Sequence, residues 1–228
     1  MTRLIAKIDS QINLDNIRYS PNFNYKESPY ASMEFPEVGN IDLYNIVGSP
    51  PKNSSSTTRS ELKYLQNITT NRTKAEIDLI YKVDDDPILL FEDIISKHDL
   101  DFPKQFFVAV YYTCAIAIVD HLKYFYNRPR PFQLAEYYDL SINRIVTKTH
   151  KTPAYPSGHT MYAALIAEIL SDKYPKHKTE FDKLVDLCGK GRELQGVHYP
   201  SDNVAAKKII KTIYPELKKY YTGVGHEL

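Results

Sequence analysis

Three short segments gather side chains suited to holding an anion and moving a proton. The first, Lys123-Tyr-Phe-Tyr-Asn-Arg128-Pro129-Arg130-Pro131-Phe132, puts a lysine at the end of a long apolar stretch. An arginine follows in a proline-stiffened loop, where Arg130 can be aimed. Alone, this segment also reads as a solvated cationic helix end favoured by the helix macrodipole. The second, Pro156-Ser157-Gly158-His159-Thr160, opens an amphipathic run. Ser157 is a good N-cap and Gly158 leaves backbone N–H groups open, so the helix start suits an anion with His159 beside it. An ordinary cap with a surface histidine fits the same residues. The third runs from Gly191 to Asp202, with Arg192 six residues before His198 and Asp202 four after it. A carboxylate so placed can accept a hydrogen bond from one imidazole nitrogen and leave the other basic, although common structure also produces that spacing. Gly189, Gly191 and Gly196 lack the spacing and the preceding strand of a dinucleotide fingerprint.

Taken in order, the three segments have a pattern: lysine, six residues, Arg-Pro; then Pro-Ser-Gly-His; then arginine, five residues, histidine, three residues, aspartate. That order resembles the signature of the phosphatidic acid phosphatase type 2 and vanadium haloperoxidase superfamily. Within it the chain is most similar to the soluble class A bacterial acid phosphatases, through Tyr126, Arg128, Phe132 and the run Tyr155 to Thr160. Pro50-Pro51-Lys-Asn-Ser54 followed by Glu61-Leu62 adds a weaker likeness. One departure is Gly191, where the family usually has serine before the arginine.

The resemblance implies a metal-independent acid phosphatase working through a phosphohistidine. Lys123, Arg130 and Arg192 would hold the phosphate, joined by Ser157 and the Gly158 N–H. His198 would be the nucleophile, oriented by Asp202, and His159 the general acid and then the base. Arginine suits phosphoryl oxygens because it offers a planar fork of donors. No metal or cofactor is expected, and vanadate is expected to bind as a phosphate mimic. The same superfamily offers a vanadate-dependent haloperoxidase and a peripheral lipid phosphate phosphatase as alternatives. A binding module without catalysis would not need both histidines and the aspartate. The other histidines, His98, His121, His150, His177 and His226, match no motif and read as structural or surface residues.

The elements that must position these residues are helical. Apolar residues recur at three and four from Phe107 to Leu122, a run apolar nearly all round in its middle, which marks the centre of a bundle. Further helices are read from Ser60-Glu61, from Asp86-Pro87, over Ser157 to Leu170, through Phe181 to Cys188, and from Ser201, with Pro215 near the end of the last. Asp84-Asp85-Asp86 reads as a cap plus a solvated turn. No period-two alternation argues for a sheet. The expectation is all-α, a bundle of roughly seven or eight helices over residues 56–228, preceded by an irregular Pro/Tyr-rich arm at 1–55 that lies on the bundle through its aromatics.

Composition narrows the function classes. With 29 Lys plus Arg against 28 Asp plus Glu, the net charge of +1 excludes a broad nucleic-acid footprint. Two cysteines, Cys114 and Cys188, exclude a disulfide scaffold and a four-cysteine zinc site, and both read as core thiols. The longest apolar stretch, 106–119, is shorter than the ~20 residues of a membrane span. Met1 to Lys7 shows no leader-like run, so the expectation is a soluble, cytoplasmic protein acting on a small-molecule phosphoester, with self-association left open.

Overall fold

The apolar periods resolve into helices, and no strand forms among the described residues, 12–228, of the computed structural model. Met1 to Lys7, on which the leader reading rests, lie outside the described residues. The architecture is all-α with about eight helices, as the periodicity predicts.

The first helix, α1 (Leu43–Val47), is capped by Asp42. Helix α2 (Ser56–Thr70) begins ahead of the expected Ser60, because Ser55 Oγ accepts from the Thr58 N–H and caps the chain there. A Thr73/Glu76 capping box opens α3 (Lys74–Asp85). Asp86 caps the next turn as expected, but Pro87–Leu90 is a 3-10 turn and α4 proper is Glu92–Lys97. Helix α5 runs Lys104–Val110, through a π turn at Tyr111–Ala115, into Ile116–Tyr126. Thr113 Oγ1 donates to the Ala109 carbonyl at 2.6 Å, a competing acceptor bond that accompanies the widened turn. Then come α6 (Gly158–Lys173), α7 (Lys178–Gln195) and α8 (Pro200–Gly223).

Three expectations are corrected here. The central helix is α6, not α5: Thr160 to Ser171 is buried on nearly every side, whereas α5 exposes Val108, Tyr112, Ile116 and Phe125. The small side chains of Ala163, Ala164 and Ala167 let α7 and α8 pack closely onto α6. Ser201 does not cap α8, since the cap position is Tyr199 and Pro200 is the first helical residue, where its missing N–H costs nothing. Pro215 lies inside α8, which continues to Gly223, because the buried side chains of Leu217 and Tyr221 hold the last turns to the core.

By length and apolar composition one stretch of the described residues, Lys104–Tyr138, is long enough to cross a membrane, yet half of its most apolar window is buried within the protein. Residues 12–42 form short 3-10 turns over α5: Tyr30 stacks on Tyr124 at 4.4 Å, and His121 Nε2 lies 2.7 Å from the Tyr44 hydroxyl. Cys114 and Cys188 are free and buried.

Candidate active site

His198 sits on the turn between α7 and α8. Gly196 makes that turn with φ +81°, a left-handed conformation suited to glycine, and a Cβ there would come within 2.8 Å of Ile142 Cγ2. The His198 side chain is 2% exposed. Its Nδ1 lies 3.0 Å from Asp202 Oδ2, and its Nε2 lies 2.9 Å from Arg130 Nη1. A guanidinium can only donate, so Nε2 must accept and the proton of the neutral ring sits on Nδ1, facing the carboxylate. The lone pair of Nε2 therefore points into the cationic cluster.

Asp202 is held from behind. Oδ2 also accepts from the Tyr199 N–H at 2.9 Å, and Oδ1 accepts from Arg128 Nη1 at 2.5 Å. Arg128 donates in turn to Glu61 Oε2 at 3.2 Å and lies 3.8 Å from the Tyr199 ring centre. Glu61 also accepts from the Ser201 N–H at 2.6 Å, tying α2 to the start of α8. Burial pushes the Asp202 carboxyl up, to about 6, against the pull of Arg128 and the Tyr199 amide. Breaking a buried pair of this kind costs about 3–5 kcal/mol, so Arg128 and Glu61 are the support on which the histidine's orientation rests. The sequence reading assigned no role to either residue.

Lys123, Arg130 and Arg192 are all at most 4% exposed. Lys123 Nζ donates to the Pro153 carbonyl at 2.6 Å, and Arg130 donates to the Thr152 and Val197 carbonyls. Arg192 Nη1 donates to Asp84 Oδ1 at 2.6 Å and Nη2 to Thr149 Oγ1 at 3.0 Å, while its buried Nε has no hydrogen-bond partner. An orphaned buried donor on a cation is costly unless an acceptor anion meets it. Burial pushes Arg130 down to about 9, with Arg192 adding to the shift, and burial with Arg130 lowers Lys123 well below its usual value. A dianion among the three would reverse those shifts.

Ser157 and Gly158 open α6 beside Lys123. The Asn203 amide group donates to the Gly189 carbonyl and to Glu193, so its Oδ1 faces Thr160, whose hydroxyl donates to it at 2.8 Å. Ser157 Oγ must then donate to Thr160 Oγ1, at 3.0 Å, while accepting from the Thr160 N–H. The Ser157 hydroxyl is thus committed to the cap, and the Gly158 and His159 amides, which have no intrahelical acceptors, are the donors left at this helix end. His159 is half-buried. Burial lowers its pKa well below the usual value, Arg192 and Lys123 add to the shift, and Asp84 opposes it.

Asp84 corrects the solvated-turn reading of the acidic run. Besides Arg192, it accepts from Thr147 Oγ1 at 2.7 Å and from Thr149 Oγ1. Burial alone would raise its pKa, but Thr149, Arg192 and Thr147 hold it down at about 2. His150 is likewise not a bystander: it is 8% exposed, and burial together with Arg130 and Arg192 pushes it to about 4. Asp84 shows in the sequence only as part of an acidic run, and His150 has no motif around it; each reaches the site from a separate segment. A cleft of about 240 Å³ is lined by His159 together with Tyr111, Tyr112, Ile116, Tyr162 and Asp84 to Asp86.

Gly191 has a packing reason. A Cβ at this position would meet Val83 Cγ2 at 3.0 Å, where α7 crosses α3. Gly191→Ser is therefore expected to lower stability by about 1–3 kcal/mol, the usual cost of overpacking a core. Adding Val83→Ala should recover part of that loss. Thermal melts of the single and double variants check this, and an unchanged melting temperature in Gly191→Ser would contradict it.

The pattern of the PAP2 superfamily matches residues 105–209 of this chain. Over 125 residues the chain is 33% identical to a non-specific acid phosphatase of Salmonella typhimurium, covering 52% of this chain and 47% of the relative. A non-specific acid phosphatase of Salmonella typhi matches with the same identity and coverage. The chain thus spans about half the length of the curated relatives it matches.

Proposed function

We propose, on the premise that residues 105–209 belong to the PAP2 superfamily, that this protein is a metal-independent acid phosphatase that hydrolyses phosphomonoesters through a phosphohistidine on His198. One observation carries the reading. His198 Nε2 keeps its lone pair, which accepts from Arg130, while Asp202 holds the Nδ1 proton, and Lys123 and Arg192 add positive charge nearby. The acid phosphatases to which the chain is similar support the same class of reaction.

In the first step Nε2 attacks phosphorus and the bond to the leaving oxygen breaks, with His159 donating its proton to that oxygen. Arg130 exchanges its contact with Nε2 for a phosphoryl oxygen. The orphaned Arg192 Nε–H and the α6 amides supply further donors where charge develops. In the second step water attacks phosphorus, gives a proton to His159, and the phosphorus–nitrogen bond breaks. The three cations do the charge work assigned to Mg²⁺ in other phosphoryl-transfer sites. The aromatic wall of the cleft suits an uncharged leaving group, and Asp84 to Asp86 disfavour a polyanionic one.

The pH dependence follows from the signs of the shifts. Burial, then Arg130, Lys123 and Arg192, push His198 well down, so it remains neutral and nucleophilic into the acid range and is lost only when protonated at still lower pH. His159 is also pushed down in the free protein, so its proton is lost as pH rises towards neutral, although bound phosphate dianion pulls that pKa back up. The expected profile is a bell on the acid side. The test is a panel of aryl, alkyl and lipid phosphates across pH with chelator present. Hydrolysis undiminished by chelator, an acid bell and competitive vanadate inhibition are expected. Activity lost in chelator and restored by a divalent metal overturns the proposal, as does halide oxidation by the vanadate-loaded protein at a rate rivalling hydrolysis.

A further inference from the structure

Three side chains cluster at the opposite end of α6, about 21 Å along the helix from His159 at 1.5 Å per residue. His98 closes α4, and His177 sits in the turn between α6 and α7, with the two ring centres 4.2 Å apart. Glu180 follows in the first turn of α7, its Oε1 3.1 Å from His177 Nδ1. His177 is 7% exposed, and the Nε2 atoms of both His177 and His98 are buried without a hydrogen-bond partner. One donor atom from each of the three residues lies within 4.8 Å of the other two.

We propose that His98, His177 and Glu180 bind a divalent transition metal of the zinc class, which staples α4 to the α6–α7 turn. Two adjacent imidazoles with orphaned nitrogens repel each other when protonated and waste a donor or acceptor when neutral. A cation between them resolves both problems. Two imidazoles and one carboxylate form a donor set suited to Zn²⁺, with water completing the tetrahedron. Bonds of about 2.0–2.1 Å set tetrahedral donors roughly 3.3 Å apart, within reach of small side-chain rotations.

The surroundings are already ordered for this. Asp101 pairs with Lys173 at 2.6 Å, and its N–H donates to the Tyr174 hydroxyl, so the chain after α4 is tied to the end of α6. The Glu180 side chain is 47% exposed, which gives an ion a path in. Lys97 and Lys176 bring positive charge close to His98. The two lysines also set a limit, since their charge weakens cation affinity.

The experiment uses metal-stripped protein titrated with Zn²⁺, with Co²⁺ as the spectroscopic probe. Wild type is expected to bind one equivalent of Zn²⁺ and to gain roughly 5–10 °C in melting temperature at a hundredfold excess over Kd. Its Co²⁺ form should show tetrahedral ligand-field absorption. His98→Ala, at a half-buried helix end, and Glu180→Gln, at an exposed one, should fold and lose the shift and the absorption, while keeping phosphatase activity. No binding in wild type, or a shift and absorption retained in His98→Ala, overturns the proposal. These readouts do not depend on turnover, so the staple and the phosphatase reading fail separately.

Discussion

His198→Ala is expected to abolish turnover and the trapped phosphoenzyme together. In the proposed mechanism the attacking lone pair is on Nε2 of His198; among the nearby imidazoles of His159 and His150 neither has the Asp202 partner that orients His198, and Asp202 itself is engaged with Arg128. A nucleophile that works as a unit with its orienting partner typically contributes on the order of 10⁶ in kcat. Stability should change little by comparison, because alanine leaves the Arg128–Asp202 pair intact and removes only one of the hydrogen bonds to Oδ2. The measurement is rapid-quench trapping of acid-labile phosphate on the protein with nitrophenyl phosphate. Phosphate still trapped on His198→Ala would remove the histidine from its role.

His159→Ala should lose about 10² to 10⁴ in rate, and the loss should depend on the leaving group. An alkyl ester departs as a basic alkoxide and needs the proton, whereas a nitrophenolate leaves unaided. The variant should therefore keep measurable phosphoenzyme formation with nitrophenyl phosphate and lose it with an alkyl phosphate. Dephosphorylation by water should slow for both, since the same imidazole serves as the base. His159 lines the cleft with Tyr111, Tyr112 and Tyr162, which gives a leaving group room beside it. If His198→Ala traps phosphate and His159→Ala never does with any leaving group, the two roles are reversed.

Much of the framework is legible in the order of the residues. The three-and-four apolar spacing of residues 107–122 and 181–188 is a local property of the chain, and the helices formed there. Ser157 and Asp86 cap where their side chains can reach the next free amides, again a local matter. What spacing could not rank was burial. Both α5 and α6 are apolar, and only packing against α7 and α8 makes α6 the enclosed one. The capping chemistry of Ser201 points to a cap two residues beyond the actual one at Tyr199, because Glu61, 140 positions away, takes that hydroxyl and amide instead.

The site divides in the same way. The candidate residues are legible in the chain's order, since the spacing of Lys123, Arg130, Ser157, Gly158, His159, Arg192, His198 and Asp202 is covalent information. The His198–Asp202 contact is also nearly local, set by a spacing of four across a turn and a helix start. Tertiary structure alone decided how those groups are tuned. Glu61 and Arg128 hold Asp202, Asp84 and Thr149 occupy two of the Arg192 donors, and His150 is pressed against the cations, each from a different segment. Ser157 was turned inward by Asn203, 46 residues further along, through Thr160. Burial and long-range charge act through distance in space, and a chain's order in sequence records neither until it has folded.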